Sequence, residues 1–409
     1  MVINGKWTDF IADFMALTEG AISPDLFRQW SAISLVAGAM QRRVWIKMGP
    51  RITFPNLYIL LVAHPGVGKY TIEVVRELWT QTSEPGTGVP MFKVAPDSMS
   101  KASMMDTIVR AKSIFFPPAG PPITTHSLLV AAEEIGVFLP AYDLEFIGAL
   151  NSIYNNKPLH EEVRRTGSVK ELKIEFPQLN ILAGAQPGWL ASVFPEEAWS
   201  TGLASRLIMI YAADGPIKDL FDDPGEPEAL RKQVLSKLGH MSEMYGQMKW
   251  QPAAAKRVGD WHMAKGPPAP THSKLEHYNR RRTSLHMPKL AMVSAVARTG
   301  GMVIEETDVA RAIFWLTEAE KLMPDIFRSM VGKSDAQVME ECHFYITSEW
   351  ARKKQTPVDG RTIHFFLAQR VPSDKVQKIM EIMERSGMIE RIASTDTYNP
   401  RPKKDFAVE

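Results

Sequence analysis

Four stretches of this chain are apolar at nearly every position rather than at every second one: Leu57 to Val62, Leu128 to Ala132, Leu179 to Ala185 and Leu207 to Tyr211. Continuous apolar runs of this length predict strands buried on both faces, as in a parallel sheet. Helical spacing fills the intervals. Phe10, Phe14 and Leu17 predict an amphipathic helix that stops near Gly20. Ser23-Pro24-Asp25 opens a second, running through Phe27, Trp30, Ile33, Leu35 and Val36 to about Gln41. Further helices are predicted from Thr71 to about Trp79, from Lys101 to Lys112 and from Tyr142 to Tyr154, the last keeping Leu144, Ile147, Leu150 and Ile153 on one face. Arg42 to Ile46 and Met91 to Ala95 read as short strands. Arg42 and Arg43 read as a solvated helix end, with a contact to DNA or a neighbouring subunit as the alternative. Glu171 to Phe176 alternates with period two and, with the run Arg164 to Lys170 before it, predicts a hairpin with a basic tip.

The second half reads differently. Residues 212–232 are rich in Asp, Gly and Pro and read as a linker. Helical patterns dominate from Pro227 to Met263 and from Leu275 to Ala297, where Pro288 is expected to kink or split the helix. Thr307 is placed as the N-cap of a helix whose apolar face holds Val309, Ile313, Phe314, Leu316 and Leu322. A last segment opens at Ser334. It is expected to form helices over about Asp335 to Arg352, Arg361 to Gln369 and Asp374 to Arg385, a strand over Met388 to Ile392 and a loop from Thr395 to Pro402. Three helices and a hairpin suggest a winged helix, able to lay its third helix in a DNA major groove. Lys375, Lys378 and Arg385 lie on that helix, and Arg401, Lys403 and Lys404 follow in the tail. A winged helix that binds protein instead is the alternative.

Composition narrows the picture only a little. The chain has 409 residues, a net charge of +2 and a single cysteine, Cys342. The cysteine count excludes an intrachain disulfide framework and a cysteine-based zinc site, and fits a reducing, cytoplasmic setting. The near-neutral balance gives no global field for nucleic acid, so any basic surface must be local. No apolar run approaches the roughly 20 residues of a membrane span, and no signal-peptide core is evident at the N-terminus. No membrane partner is expected.

The chemistry concentrates where the apolar runs end. The first is followed by Ala63-His64-Pro65-Gly66-Val67-Gly68-Lys69-Tyr70-Thr71 and then by a helical pattern. Strand, glycine-rich turn, lysine and helix in this order are what a phosphate-binding loop requires. Gly66 and Gly68 let backbone N–H groups close around phosphate oxygens. Lys69 adds a point charge toward the β- and γ-phosphates, and the helix N-terminus adds its partial positive charge. His64, Pro65, Gly66, Val67, Gly68, Lys69, Tyr70 and Thr71 are thus the candidate nucleotide contacts. Two positions depart from the G-x-x-x-x-G-K-[ST] pattern. Ala63 replaces the first glycine, and Tyr70 stands where a hydroxyl should meet Mg²⁺, a slot too short for a phenol. Thr71 could take that role only if the register shifts by one.

The second run ends in Glu133-Glu134. An acid at such a strand end holds Mg²⁺, and a following acid polarises the attacking water. Glu133 is assigned to the metal and Glu134 to the base; the plain alternative is that both begin a solvated helical turn. The third run ends in Gln186-Pro187, and Gln186 is placed either to hydrogen-bond the γ-phosphate or the water, or merely to satisfy a strand end. Arg164, Arg165 and Lys170 at the hairpin tip could contact DNA phosphates; an ordinary surface hairpin fits equally.

In this order the phosphate loop, the acidic strand end, the Gln186-Pro187 strand and the Ser205-Arg206 element resemble the AAA+ ATPases. The resemblance is to the replicative helicase-like ATPases of phages and mobile elements, and more distantly to the minichromosome-maintenance helicases. It covers roughly residues 25–330. It implies an α/β AAA+ P-loop core with a parallel sheet at residues 49–215, after an N-terminal helical segment at 1–48, then a helical lid at 216–332 and a winged-helix domain at 333–409. It implies that Arg206 is an arginine finger reaching the γ-phosphate of a neighbouring subunit, because a guanidinium delivered in trans couples hydrolysis to subunit contact. It also implies a second sensor in the lid, at Arg282 or Arg281, where a solvated basic face is the alternative.

The expected function is an ATP-dependent DNA motor, a replicative helicase. It would use ATP and Mg²⁺, act as a homo-oligomer, a hexamer, hold single-stranded DNA and work beside other replication proteins. The other reading is a DNA-binding initiator or helicase loader that uses ATP as an assembly switch with little hydrolysis, which the departures at Tyr70 and Glu133 favour.

Overall fold

The four apolar runs form strands that lie side by side. The structure is a computed structural model. It describes residues 7–401 apart from 85, 97, 118–119, 140–142, 164–170, 195–198, 200–201, 220, 222–224, 226, 331–334, 369–370, 372 and 393–394. The main sheet contains β1 (Tyr58–Val62), β2 (Lys112–Phe115), β3 (Ile123–Ala132), β4 (Pro177–Ala185) and β5 (Leu207–Tyr211), in the spatial order β2-β3-β4-β1-β5. All neighbours are parallel except β2, which runs antiparallel along the edge of β3. Every residue of β1, β4 and β5 is buried. That burial explains the unbroken apolar pattern, because helices cover both faces of the sheet.

The register fixes what meets at each end. Val62 pairs with Ala185 and with Tyr211, and Ala132 pairs with Ala183. The loops after β1, β3 and β4 therefore emerge together at the carboxyl edge, and β4 lies between the other two. Met91 to Ala95, expected as a strand, supplies only a parallel bridge from Val94 to Leu129. β2 takes up the rest of that edge.

Two N-terminal helices, α1 (Phe10–Leu17) and α2 (Asp25–Ala39), fall where the spacing predicts them. The Asp9 carboxylate caps α1 by accepting from the N–H groups of Ile11 and Ala12. Their apolar faces belong to one core that runs from Phe10 to Met330. Residues 1–48 and 216–332 thus share a core with residues 49–215, and residues 1–330 form one compact unit. Residues 331–409 form the other, with a separate core that includes Val338, Cys342, Ile363, Ile379, Met383 and Tyr398. That unit contains helices Asp335–Arg352, Gly360–Ala368 and Ser373–Arg385 and a three-stranded antiparallel sheet of Val358–Asp359, Thr397–Pro400 and Ile389–Ile392.

Two expectations are corrected. Arg42 is not a solvated helix end. It is buried, donating to the Pro177 and Asn156 carbonyls, with its guanidinium over the Phe54 ring. Thr307 is not an N-cap, since the helix Glu306–Met330 already includes it; the Asp308 carboxylate accepts from the Glu305 N–H instead. The split expected near Pro288 is present: the chain divides into Glu276–Arg281, a π-helical turn at Arg282–His286 and Met287–Thr299, with the wider turn lying just ahead of the proline.

Candidate nucleotide site

Between β1 and α3 (Thr71–Gln81) the chain makes a tight loop with Gly66 at φ +87° and Gly68 at φ +90°. These are left-handed conformations that glycine adopts at little cost. Gly68 carries a second constraint: a Cβ there would collide with the Ile22 carbonyl. The segment between α1 and α2 packs directly on the loop, and the Ser23 hydroxyl donates to the Gly68 carbonyl at 2.8 Å. From the other side, a Cβ on Gly215 would strike the Val67 carbonyl. His64, Pro65 and Gly66 remain exposed at the crest of the loop, while Val67 is buried as its anchor.

Three of the sequence-derived residues converge here. Lys69 is half-buried, with Nζ 3.8 Å from a Glu134 carboxylate oxygen. The Gln186 amide donates to that carboxylate at 2.9 Å. Because β4 lies between β1 and β3, Gln186 stands between the lysine loop and the acidic strand end. Burial pushes the Lys69 amine below its ordinary value, while the charges of Glu134 and Glu133 pull it back up. Gly184, near the end of β4, makes the convergence possible: a Cβ there would run into the Glu133 carbonyl and the Lys69 stem. Glycine within a buried strand was the available signal for this close approach.

The acids face a cavity of about 590 Å³ lined by Ile72, Glu73, Arg76, Ala131, Glu133 and Glu134, among others. Glu133 is exposed and Glu134 partly so. Glu73, in the first turn of α3, is a third acid that sequence reasoning missed, because nothing in its spacing sets it apart from an ordinary helix N-terminus. Among the described residues, no group of three His, Cys, Asp or Glu is placed to hold a metal ion. Mg²⁺ commonly binds through one or two carboxylates, several waters and the substrate phosphates, so the exposed Glu133 beside the loop still suits that mode.

The remaining assignments separate. Thr71 is not placed to ligate a metal: it is fully buried, and its hydroxyl accepts from the Ser31 hydroxyl of α2 at 3.1 Å. Tyr70 is 50 % exposed and occupies the turn before α3. No hydroxyl of the kind the motif uses therefore faces the site from either position. Arg282 is not a phosphate contact. It is fully buried, ion-paired with Glu320 and donating to the Gly266 and Pro268 carbonyls, with the Tyr278 hydroxyl also donating to Glu320. Arg281 is partly exposed and lies near Arg206.

Arg206 sits just before β5, whose first residue pairs with Tyr58 at the start of β1. It is thus at the opposite edge of the sheet from Lys69, about 16 Å away along a five-residue strand. It is buried, donating to the Gly202 carbonyl and to the Asn155 side chain at 2.9 Å, and its Nε has no partner. Burial and the neighbouring Arg281 depress its pKa. Lys289, also buried and depressed by burial, holds the Asn56 carbonyl nearby.

Of the candidate DNA contacts, Arg164, Arg165 and Lys170 lie outside the described residues, as do Lys403 and Lys404. The arms of their hairpin are present, pairing Leu159–Val163 with Glu171–Glu175. Lys375 and Lys378 are exposed on Ser373–Arg385. No described helix is long and apolar enough to cross a membrane. In comparison with known proteins, the chain matches no family model and no curated protein sequence.

Proposed function

We propose that the chain is a nucleotide-driven motor of the AAA+ type acting on DNA, working as a homo-oligomer, with a replicative helicase as the most specific reading. One observation carries it. Lys69, Glu134 and Gln186 meet at the carboxyl ends of three adjacent strands, beside a loop with two left-handed glycines that leads into an eleven-residue helix. Loop N–H groups and the α3 N-terminus suit a polyphosphate, and Lys69 suits its terminal groups. Glu133 would share Mg²⁺ with those phosphates. ATP and Mg²⁺ bound there supply the transferable phosphoryl group and the neutralising charge. The Glu134 carboxylate is the group placed to take a proton from water, and the Gln186 amide orients it. In this reading Arg206 acts on the loop of a neighbouring copy, since its own loop is out of reach, and must first release Asn155 and Gly202.

A second reading is an ATP-dependent assembly switch with little turnover. The inward-facing Thr71 and exposed Tyr70 favour it, because they leave Mg²⁺ without its usual hydroxyl. Nucleotide titration of the wild-type protein and of Lys69→Ala tests the shared premise. The variant is expected to lose nucleotide binding or turnover. Unchanged ATPase activity in Lys69→Ala would remove the site assignment under both readings.

A further inference from the structure

Away from the lysine loop, at the amino-terminal end of the sheet, a cleft of about 470 Å³ opens between β3 and the small sheet built on Val44–Met48. Its walls are planar groups in sequence. The Arg42 guanidinium lies over Phe54 at 4.7 Å and over Phe176 at 5.3 Å. Phe54 lies 6.5 Å from Trp45, Trp45 contacts Tyr245 edge-on at 5.4 Å, and Tyr245 meets Phe115 at 5.0 Å. Phe115 in turn carries the Arg43 guanidinium at 4.8 Å. Five aromatic rings and two guanidinium planes thus surround a space they do not fill, unlike a packed core, which leaves few voids larger than a water.

Two further features point to a ligand. Phe176 adopts φ +45°, a left-handed conformation that a bulky side chain rarely takes, and the residue, which lines the cleft, is 39 % exposed. The conformation is held at both ends, because the Phe176 N–H donates to the Pro158 carbonyl at 2.7 Å and its carbonyl accepts from the His126 N–H. Gln41, which leads into Arg42, is also left-handed, at φ +47°, and its carbonyl accepts from the Gln178 side chain at 3.0 Å. Backbone strain held in place by hydrogen bonds concentrates at functional positions. The second feature is unused polarity. The exposed Glu175 carboxylate at the cleft makes no ion pair among the described residues. Stacking faces and an exposed acceptor around one cavity match a planar ring whose edge donates.

We propose that this cleft binds a nucleobase, stacked against Phe176 and the Arg42–Phe54 pair and hydrogen-bonded along its edge by Glu175. The base comes either from single-stranded nucleic acid or from a free nucleoside. The proposal is independent of the lysine loop, because it requires no phosphate.

The test uses full-length protein titrated into 2-aminopurine riboside and, separately, into a single-stranded 15-mer carrying one 2-aminopurine, with base fluorescence read in each. The riboside has no phosphate and so does not report on the lysine loop. Phe176→Gly removes one stacking face while giving the φ +45° position the residue that suits it. It is expected to weaken binding about fivefold or more, the range that loss of one stacked base contact gives, while the melting temperature holds or rises. Glu175→Gln, which keeps the size of the side chain and removes its charge, is the second probe and is expected to weaken binding several-fold. A 15-mer that binds much more tightly than the riboside identifies single-stranded nucleic acid as the source; equal affinities identify the free nucleoside. Absence of binding by both probes up to millimolar concentration, or binding that neither substitution changes, overturns the proposal.

Discussion

Glu134→Gln separates nucleotide binding from hydrolysis. The carboxylate has two structural partners, the Lys69 amine at 3.8 Å and the Gln186 amide at 2.9 Å. Glutamine keeps an acceptor oxygen for Gln186, so the strand ends stay linked, but it loses the charge that faces Lys69. An ion pair with one partner 42 % exposed is worth about 0.2–1 kcal/mol. Phosphates arriving at Lys69 no longer compete with that pair, so nucleotide affinity is expected to hold or to tighten by about 1.4- to 5-fold. Removing the group that takes the water's proton is expected to slow hydrolysis by about 10²- to 10⁴-fold. Fluorescent-nucleotide titration gives the first quantity and phosphate release the second. Wild-type hydrolysis in this variant would refute the role assigned to Glu134. A loss of affinity above about tenfold would refute the picture of Lys69 as divided between Glu134 and phosphate.

Two further predictions concern groups that hold the scaffold. Glu320→Ala is expected to leave the buried Arg282 cation unpaired and to cost about 3–5 kcal/mol in denaturant unfolding; any folded fraction should bind nucleotide as the wild type does, because this pair is remote from the lysine loop. His286 is buried, donates through Nε2 to the Ser205 carbonyl and has its pKa pushed down to about 3 by burial, with Lys289, Arg281 and Arg282 adding to the effect. The unfolded chain takes up this proton near pH 6.5 and the folded chain does not, so the contribution is present above that pH and is lost as pH falls toward 3. The limiting slope is about 1.4 kcal/mol per pH unit. Melting curves between pH 5 and 7 should show that slope weakened in His286→Gln, and an identical slope in the variant would contradict the assignment.

The strands that build the site were legible because burial on both faces leaves an unbroken apolar record. The same logic drew attention to Lys69, Glu134 and Gln186, each lying beyond the end of such a run. What escaped was set by contacts distant in sequence. The run Arg280-Arg281-Arg282 reads as a solvated basic face, yet Arg282 is sequestered by Glu320, 38 residues later. Thr71, a candidate metal ligand on a one-residue shift of register, is instead directed by the turn of α3 toward Ser31 of α2. β2 was missed because an edge strand with alternating exposure and charged neighbours carries no continuous apolar signal. Arg42 and Arg43 look like surface charges, and only the rings supplied by Phe54, Phe115 and Phe176 show why the fold buries their planes.

The most direct test of the central claim is ATP turnover per subunit, measured across a range of protein concentrations with and without single-stranded DNA. A motor whose site is completed in trans by Arg206 should turn over little when dilute, rise cooperatively with concentration and be stimulated by DNA. Turnover that is flat with concentration, indifferent to DNA and retained in Lys69→Ala would contradict it.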